Sequence, residues 1–353
     1  LIGGIRLMAI IDKPSDYFNT VLYTGNGGTQ SITGVGFAPN WVWIKRRDGS
    51  AFHVVTDTVR GATKQIYPND TQSEGTRTQG LQSFDTDGYT LGNEGDTNAN
   101  SSSMASWNWK ANGAGSSNTA GSINSTVSVN TTSGFSIVKY IGNDTSGATV
   151  GHGLGVVPKM IIVKRLSGSA QHWQVYHIST GNTKSSQLSG TGTPDTSAAY
   201  WNNTSPTNSV FTIGNGSTVN GGGGSDSYIA YCFAEKQGFS KFGKYIGNAN
   251  ADGAFIYTGF SPAFVIIKNI DAGEAWQMFD NKRLSFNQTN GRYSLNPNSN
   301  AAEYQGAPLI DFVSNGFKLR SDTNSLNVAQ NYIYITFAEN PFVASNFNAA
   351  TAR

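Results

Sequence analysis

One apolar pattern occurs three times along this chain. Pro39-Asn-Trp-Val-Trp-Ile-Lys45, Pro158-Lys-Met-Ile-Ile-Val-Lys164 and Pro262-Ala-Phe-Val-Ile-Ile-Lys268 each pass from a proline through one free position and four apolar residues to a lysine. The prolines are 119 and 104 residues apart, so the chain reads as a threefold repeat. A short unbroken apolar run suits a strand buried on both faces. Proline fits the start of such a strand, where its missing N–H costs no ladder bond. The closing lysine is expected where the strand emerges into water.

Further patterns recur around this strand. Tyr23-Thr-Gly-Asn26, Tyr140-Ile-Gly-Asn143 and Tyr245-Ile-Gly-Asn248 precede it, with Gly-Asn as turn chemistry. Phe52-His-Val54, Trp173-Gln-Val175 and Trp276-Gln-Met278 follow it and are expected to align as a second strand. Next come Asp57 with Arg60 and Asp280 with Arg283, expected as turn-bracing ion pairs; His177 stands near that place in the middle copy. Gly88-Tyr-Thr-Leu91, Val210-Phe-Thr-Ile213 and Gly316-Phe-Lys-Leu319 alternate with the period of a half-buried strand. Trp107 and Trp109, Tyr231 and Phe233, and Ile335 and Phe337 mark an aromatic closing strand.

These marks predict an all-β chain of three tandem antiparallel β-sandwich repeats, jelly-roll-like, with no convincing helix. The boundaries read as an N-terminal segment 1–15, repeats at 16–112, 134–237 and 238–341, a Gly/Ser/Asn/Thr linker at 113–133, and a polar tail 342–353. Met8 followed by Ala9 resembles a natural start. The long linker predicts a loose first repeat, and the tight junction near 237 a stiff second–third pair. The alternative is that strands exchange between repeats or between chains. Between the shared marks lie stretches with no common pattern, 61–82, 181–208 and 284–307. Long loops on a β scaffold are a usual home for recognition.

Composition narrows the function. Of the 353 residues, 13% are charged and the net charge is +2, without the Lys/Arg clustering that a phosphate-tracking groove needs, so no nucleic-acid partner is expected. No apolar run is long enough for a membrane span, and no membrane insertion is expected. The single Cys232 excludes a disulfide within the chain and reads as a buried thiol. The 35 Asn and 42 Gly residues suit turns and a neutral polar surface.

Catalytic chemistry is not evident. There is no Gly-x-Ser-x-Gly and no phosphate loop. His172 and His177 flank a strand on opposite faces, and no Cys or carboxylate cluster joins them, so no metal and no cofactor are expected. Glu235 and Glu339 recur at a strand end in two copies only and lack the paired geometry of a glycosidase. What remains is binding by aromatic side chains in the variable stretches. The candidates are Tyr67, Tyr200 with Trp201, and Tyr293 with Tyr304. A ring face with amide and carboxylate groups beside it suits a sugar. Such rings also serve simply to pin a long loop to its scaffold.

The repeated Tyr-x-Gly-Asn, the proline strands and Tyr228-Ile-Ala-Tyr-Cys-Phe-Ala-Glu235 resemble virion proteins of marine bacteriophages. Met8-Ala-Ile-Ile-Asp-Lys-Pro-Ser-Asp-Tyr-Phe18 and Thr351-Ala-Arg353 are similar to the opening and end of those proteins. The first copy departs from them, with Trp107-Asn-Trp109-Lys110 in place of Phe-Ala-Glu. The resemblance implies a non-enzymatic protein of the virion surface, on a tail fibre or the capsid exterior. It implies other virion proteins as partners, a homo-oligomer such as the trimer of many fibres, and host surface glycan as a ligand for a receptor-binding component. A purely structural role in capsid decoration, a fibre or a sheath is the alternative. A polysaccharide depolymerase is the third reading.

Overall fold

The computed structural model describes residues 10–283 and 292–343. The expected start at Met8, the beginning of the third variable stretch and most of the polar tail lie outside the described residues. The chain is all-β and antiparallel, and the helical pieces are single turns at Pro14–Asp16, Gly95–Asn98 and Ala198–Trp201.

One sheet order recurs three times. An opening strand pairs with the closing strand, which pairs with the proline strand, which pairs with a return strand. In the first unit these are Phe18–Thr24, Ser103–Trp109, Trp41–Arg46 and Val54–Asp57. In the second they are Phe135–Ile141, Ser227–Phe233, Met160–Arg165 and Gln174–His177, and in the third Ser240–Ile246, Asn331–Pro341, Phe260–Asn269 and Gln277–Asp280. The half-buried strands Gly88–Leu91, Val210–Ile213 and Gly316–Leu319 belong to smaller second sheets. Their partners there include Gln30–Ile32, Ala148–Gly151 and Phe255–Tyr257.

The two faces of each proline strand serve different cores. Val42 and Ile44, Ile161 and Val163, and Val265 and Ile267 point into the sandwich of their own unit. Trp41 and Trp43, Met160 and Ile162, and Phe264 and Ile266 point the other way, into one core shared by all three units. Aromatic rings knit this core across units: Phe18 lies 5.4 Å from Phe337, and Trp41 lies 4.7 Å from Tyr231. Burying a strand on both faces requires the unbroken apolar runs seen in the sequence. The units are therefore three sandwiches around a common centre, to which the first contributes Phe18, Trp41, Trp43, Trp107 and Trp109.

Two expectations about the chain path change. Residues 113–133 are built into the second unit: Ser125–Asn130 pairs along the outside of Phe135–Ile141, and Ser116–Asn118 pairs outside that strand. With the two strands added at its opposite edge, the second unit's large sheet has eight strands. The alignment of the return strands also slips by one residue. Val55, Val175 and Met278 face Trp43, Ile162 and Ile266, so His53 occupies the place of Trp173 and Trp276.

The lysines that end the proline strands do not emerge into water. Lys45, Lys164 and Lys268 are fully buried. Lys164 Nζ donates to Thr71 O at 2.8 Å and Gln171 O at 2.6 Å; Lys268 Nζ donates to Thr191 O at 2.8 Å and Glu274 O at 2.7 Å. Lys45 finds its acceptors locally, Arg46 O at 2.6 Å and Gly49 O at 3.3 Å. Burial lowers the pKa of Lys164 to about 7 and those of Lys45 and Lys268 to about 8. Side-chain stems this long carry their ammonium groups through the sheet to carbonyls at its far end.

Candidate recognition site

The variable stretches are the first place to look for function, and each supplies contacts to a neighbouring unit. The first reaches the second unit: Trp173 Nε1 donates to Tyr67 O at 2.9 Å, and Glu74 N to Leu166 O at 3.0 Å. The second reaches the third unit, where Trp276 Nε1 donates to Gln187 O at 2.9 Å. The third reaches the first unit: Glu303 accepts from Arg47 Nε and Nη2 at 2.9 Å each, and Ala51 N donates to Asn300 O at 3.0 Å. The stretches form a closed ring of clasps. Each has a different neighbour to fit, which accounts for their lack of a common sequence.

The Asp/Arg pairs belong to the same system. Asp57–Arg60 and Asp280–Arg283 brace their turns as expected, each Asp Oδ1 accepting the N–H groups two and three residues on, but the pairs are fully buried, at 2.5 Å each. Each aspartate takes a further bond from another unit, Asp57 from Tyr231 OH at 2.7 Å and Asp280 from Trp107 Nε1 at 3.0 Å. A buried carboxylate needs such donors. In the second unit the facing position is Ile335, which has none to give, and His177 replaces the aspartate. His177 donates from Nε2 to Tyr334 O at 3.3 Å and accepts at Nδ1 from Ser179 N at 3.1 Å.

The five candidate rings do not form one site. Tyr67 is buried against Phe52, with ring centroids 5.0 Å apart. Trp201 is buried against Tyr176 at 5.9 Å. Neither presents a face to solvent. Tyr293 is half-buried beneath Arg47 at 5.6 Å, and Tyr304 is 51% exposed on the paired strand. Tyr304 stands opposite Ser294 and Tyr293 opposite Gln305, so the two rings point to opposite faces of that ribbon. Tyr200 is half-buried, and its OH lies 3.4 Å from Asp195 Oδ2, which Gln187 Nε2 approaches at 3.5 Å. A ring, a carboxylate and an amide meet there within reach of solvent; Tyr67 has Gln65 and Glu94 in the same relation but is buried. Ser197 sets the ring's direction by capping the turn Ala198–Trp201, accepting from Ala199 N at 3.1 Å.

Residues that sequence reading passed over carry the threefold framework. Asn98, Asn220 and Asn327 are fully buried, and each accepts the backbone N–H of the Asn in the Tyr-x-Gly-Asn turn, at 2.9, 2.8 and 3.1 Å. The tyrosines of those turns donate to Thr97, Val219 and Leu326 O, the residues just before these asparagines, at 2.6 to 2.7 Å. The signal in the sequence is an asparagine repeated after a divergent loop, where abundant Asn hides it.

Among the described residues no group of three His, Cys, Asp or Glu could hold a metal ion, and no helix is long and apolar enough to cross a membrane. Cys232 is buried, and burial pushes its thiol pKa up. Burial likewise holds His53 and His152 below the ordinary imidazole range. Glu235 accepts from Phe242 N at 3.3 Å. His152 likewise accepts from Leu154 N at 3.1 Å, and His53 accepts from Trp43 Nε1 at 2.9 Å.

Fold and clasps together define an all-β protein of three sandwich units around a single core. The chain belongs to the family described as a domain of unknown function (DUF7483), whose model matches residues 13–341. No curated protein and no solved structure matches it.

Proposed function

We propose that the chain is a non-enzymatic structural protein of a virion surface, a block that joins particle components in capsid decoration, a fibre or a sheath. The observation that carries this reading is the shared core. Three units are locked by buried ion pairs, and each variable stretch supplies a clasp to a neighbouring unit. The motif resemblance to marine phage virion proteins supports the location. The threefold grouping that a fibre gains from three chains is present here within one, so the free chain is expected as a monomer of 37.6 kDa. Imaging of intact particles with the chain labelled tests the role. Copies arrayed over a capsid or along a filament are expected; copies confined to a tail tip would refute assembly as the role.

Host attachment is the second reading, and Tyr200 with Asp195 and Gln187 favours it. A ring beside a carboxylate and an amide can stack on a sugar and bond its hydroxyls. Binding to host surface glycan that Tyr200→Ala abolishes, with the fold intact, would establish attachment.

A further inference from the structure

The three units offer an internal comparison at their outer edges. In the second unit, Ser125–Asn130 pairs antiparallel with Phe135–Ile141. The chain just before it also covers the small sheet, with Ile123 N donating to Thr149 O at 2.9 Å and Thr149 N to Ser122 Oγ at 2.8 Å. The residues beneath are fitted to this cover. A Cβ on Gly151 would stand 2.1 Å from Asn118 Oδ1.

In the third unit no described residue covers the same place. Among the described residues Ser240–Ile246 pairs only with the closing strand, and Phe255–Tyr257 only with Gly316–Leu319. Register equates Phe255 and Tyr257 with Thr149 and Gly151. These two aromatics are 48% and 54% exposed. The first unit has Ser31 and Thr33 there, both polar. The first unit's outer edge is likewise unpaired among the described residues, so the large rings are particular to the third unit.

The backbone is ready for pairing. Ala338 N donates to Phe239 O and Gly247 N to Gln330 O, so the odd-numbered residues bond inward. The N–H and C=O groups of Lys244 and Ile246 point outward, and Ile246 is 68% exposed. Glu235 caps Phe242 N–H and Lys236 O caps Ser240 N–H, which limits the open edge to its far half. A cleft of about 1340 Å³ continues from Lys241 and Tyr257 to Val156 and Val157.

We propose that this edge, Phe242–Ile246 with Phe255 and Tyr257 beside it, is the docking site for an extended strand of another polypeptide. The strand adds antiparallel, as Ser125–Asn130 does in the second unit, and lays an apolar side chain on the two rings. A second copy of this chain is a poor occupant. Pairing the two open halves, 242–246, antiparallel about their midpoint sets Lys244 of one copy directly against Lys244 of the other, and these like charges repel across the strands. The partner strand is therefore neutral or acidic opposite Lys244. This inference rests on the assembly reading and names its contact. Its test uses the purified chain, so its failure is separate from a failure of that reading on the particle.

The experiment is selection from a displayed library of short random peptides on the full chain. Enriched peptides are expected to bind about tenfold or more weaker to Lys244→Pro, which removes an outward N–H and no internal ladder bond, and to Phe255→Thr/Tyr257→Ser. Circular dichroism checks that both variants stay folded, and a matched Leu22→Pro on the first unit's edge should bind as the parent does. No enrichment, or binding indifferent to both variants, would overturn the proposal. So would a dimer that Lys244→Pro dissociates, which would make a second copy the occupant. Binding that arises only after deletion of residues 344–353 would make the chain's own tail the occupant and overturn it equally.

Discussion

Lys164 makes stability depend on pH in a direction that can be measured. An unfolded chain keeps a lysine proton up to about pH 10.4. The folded chain releases that of Lys164 at about 7, because burial penalises the ammonium. Between those values the unfolded state binds more protons, so the free energy of unfolding rises with pH. Integrating that difference from about pH 7 to about pH 9 gives roughly 2 kcal/mol from Lys164 alone. Lys45 and Lys268 add about 1 kcal/mol each over the same range. The perturbation is Lys164→Met, which keeps the stem and removes the charge. Thr71 O still accepts from Gln171 N at 2.8 Å, so a single acceptor, Gln171 O, loses its ammonium. The assay is urea unfolding of parent and variant at both pH values. The parent should gain several kcal/mol, and the variant should gain about 2 kcal/mol less. Equal gains would show that Lys164 stays charged in the fold and would refute the reasoning. Above about pH 10 the trend should reverse, because burial raises Tyr228, Tyr332 and Tyr334 to about 12 and the fold then holds the extra protons.

Other consequences are open to direct test. Trp107→Phe takes the cross-unit donor from Asp280 and should cost about 1.5–3 kcal/mol, with a double-mutant cycle against Asp280→Asn giving coupling above about 0.5 kcal/mol; additive losses would deny the contact its role. Asn220→Ala leaves Asn143 N, Thr145 O and Gly214 O without their shared amide and should lower stability by about 2 kcal/mol or more in thermal unfolding, with Asn98→Ala and Asn327→Ala alike. Expressed alone, residues 113–237 should aggregate, since Phe135, Ile137, Met160, Ile162, Tyr231 and Phe233 lose the shared core; a soluble, cooperatively melting fragment would contradict this. Light scattering should give a monomer for the whole chain, and a trimer would contradict the grouping of three units in one chain.

The apolar runs made the three proline strands legible, and Tyr89 with Leu91 did the same for a half-buried strand, because burial leaves a period in the sequence. That the runs served two cores at once was not legible: Trp41 and Val42 look alike on paper, and only the closing of the chain sends one to the centre and the other to its own sandwich. The lysines misled because a charged residue after an apolar run usually marks the surface, whereas here carbonyls from 71 and 191 close over two of the three ammonium groups. The return strands slipped by one because Phe52 is the closer match to tryptophan, and the histidine that takes that place differs from it. Residues 113–133 read as a linker since Gly, Ser and Asn dominate them, and the strand Ser125–Asn130 inside has only two valines to announce it. Of the candidate rings, nothing in the sequence separates Trp201, turned inward on its single helical turn, from its neighbour Tyr200.

The ring of clasps also bears on how the protein is made. Its links run from first unit to second, second to third, and third back to first, so the last closes only when Glu303 meets Arg47. A ribosome delivers Phe18 long before Phe264 and Phe337, which cover it, and Trp41 long before Tyr231 and Phe233. During that interval the nascent first unit carries an exposed aromatic face with no mate, and contacts this distant in sequence form slowly. Synthesis is then the stage at which this molecule is most prone to capture by chaperones or by another nascent copy, and a stop codon before the third unit would release a sticky fragment instead of a smaller working protein.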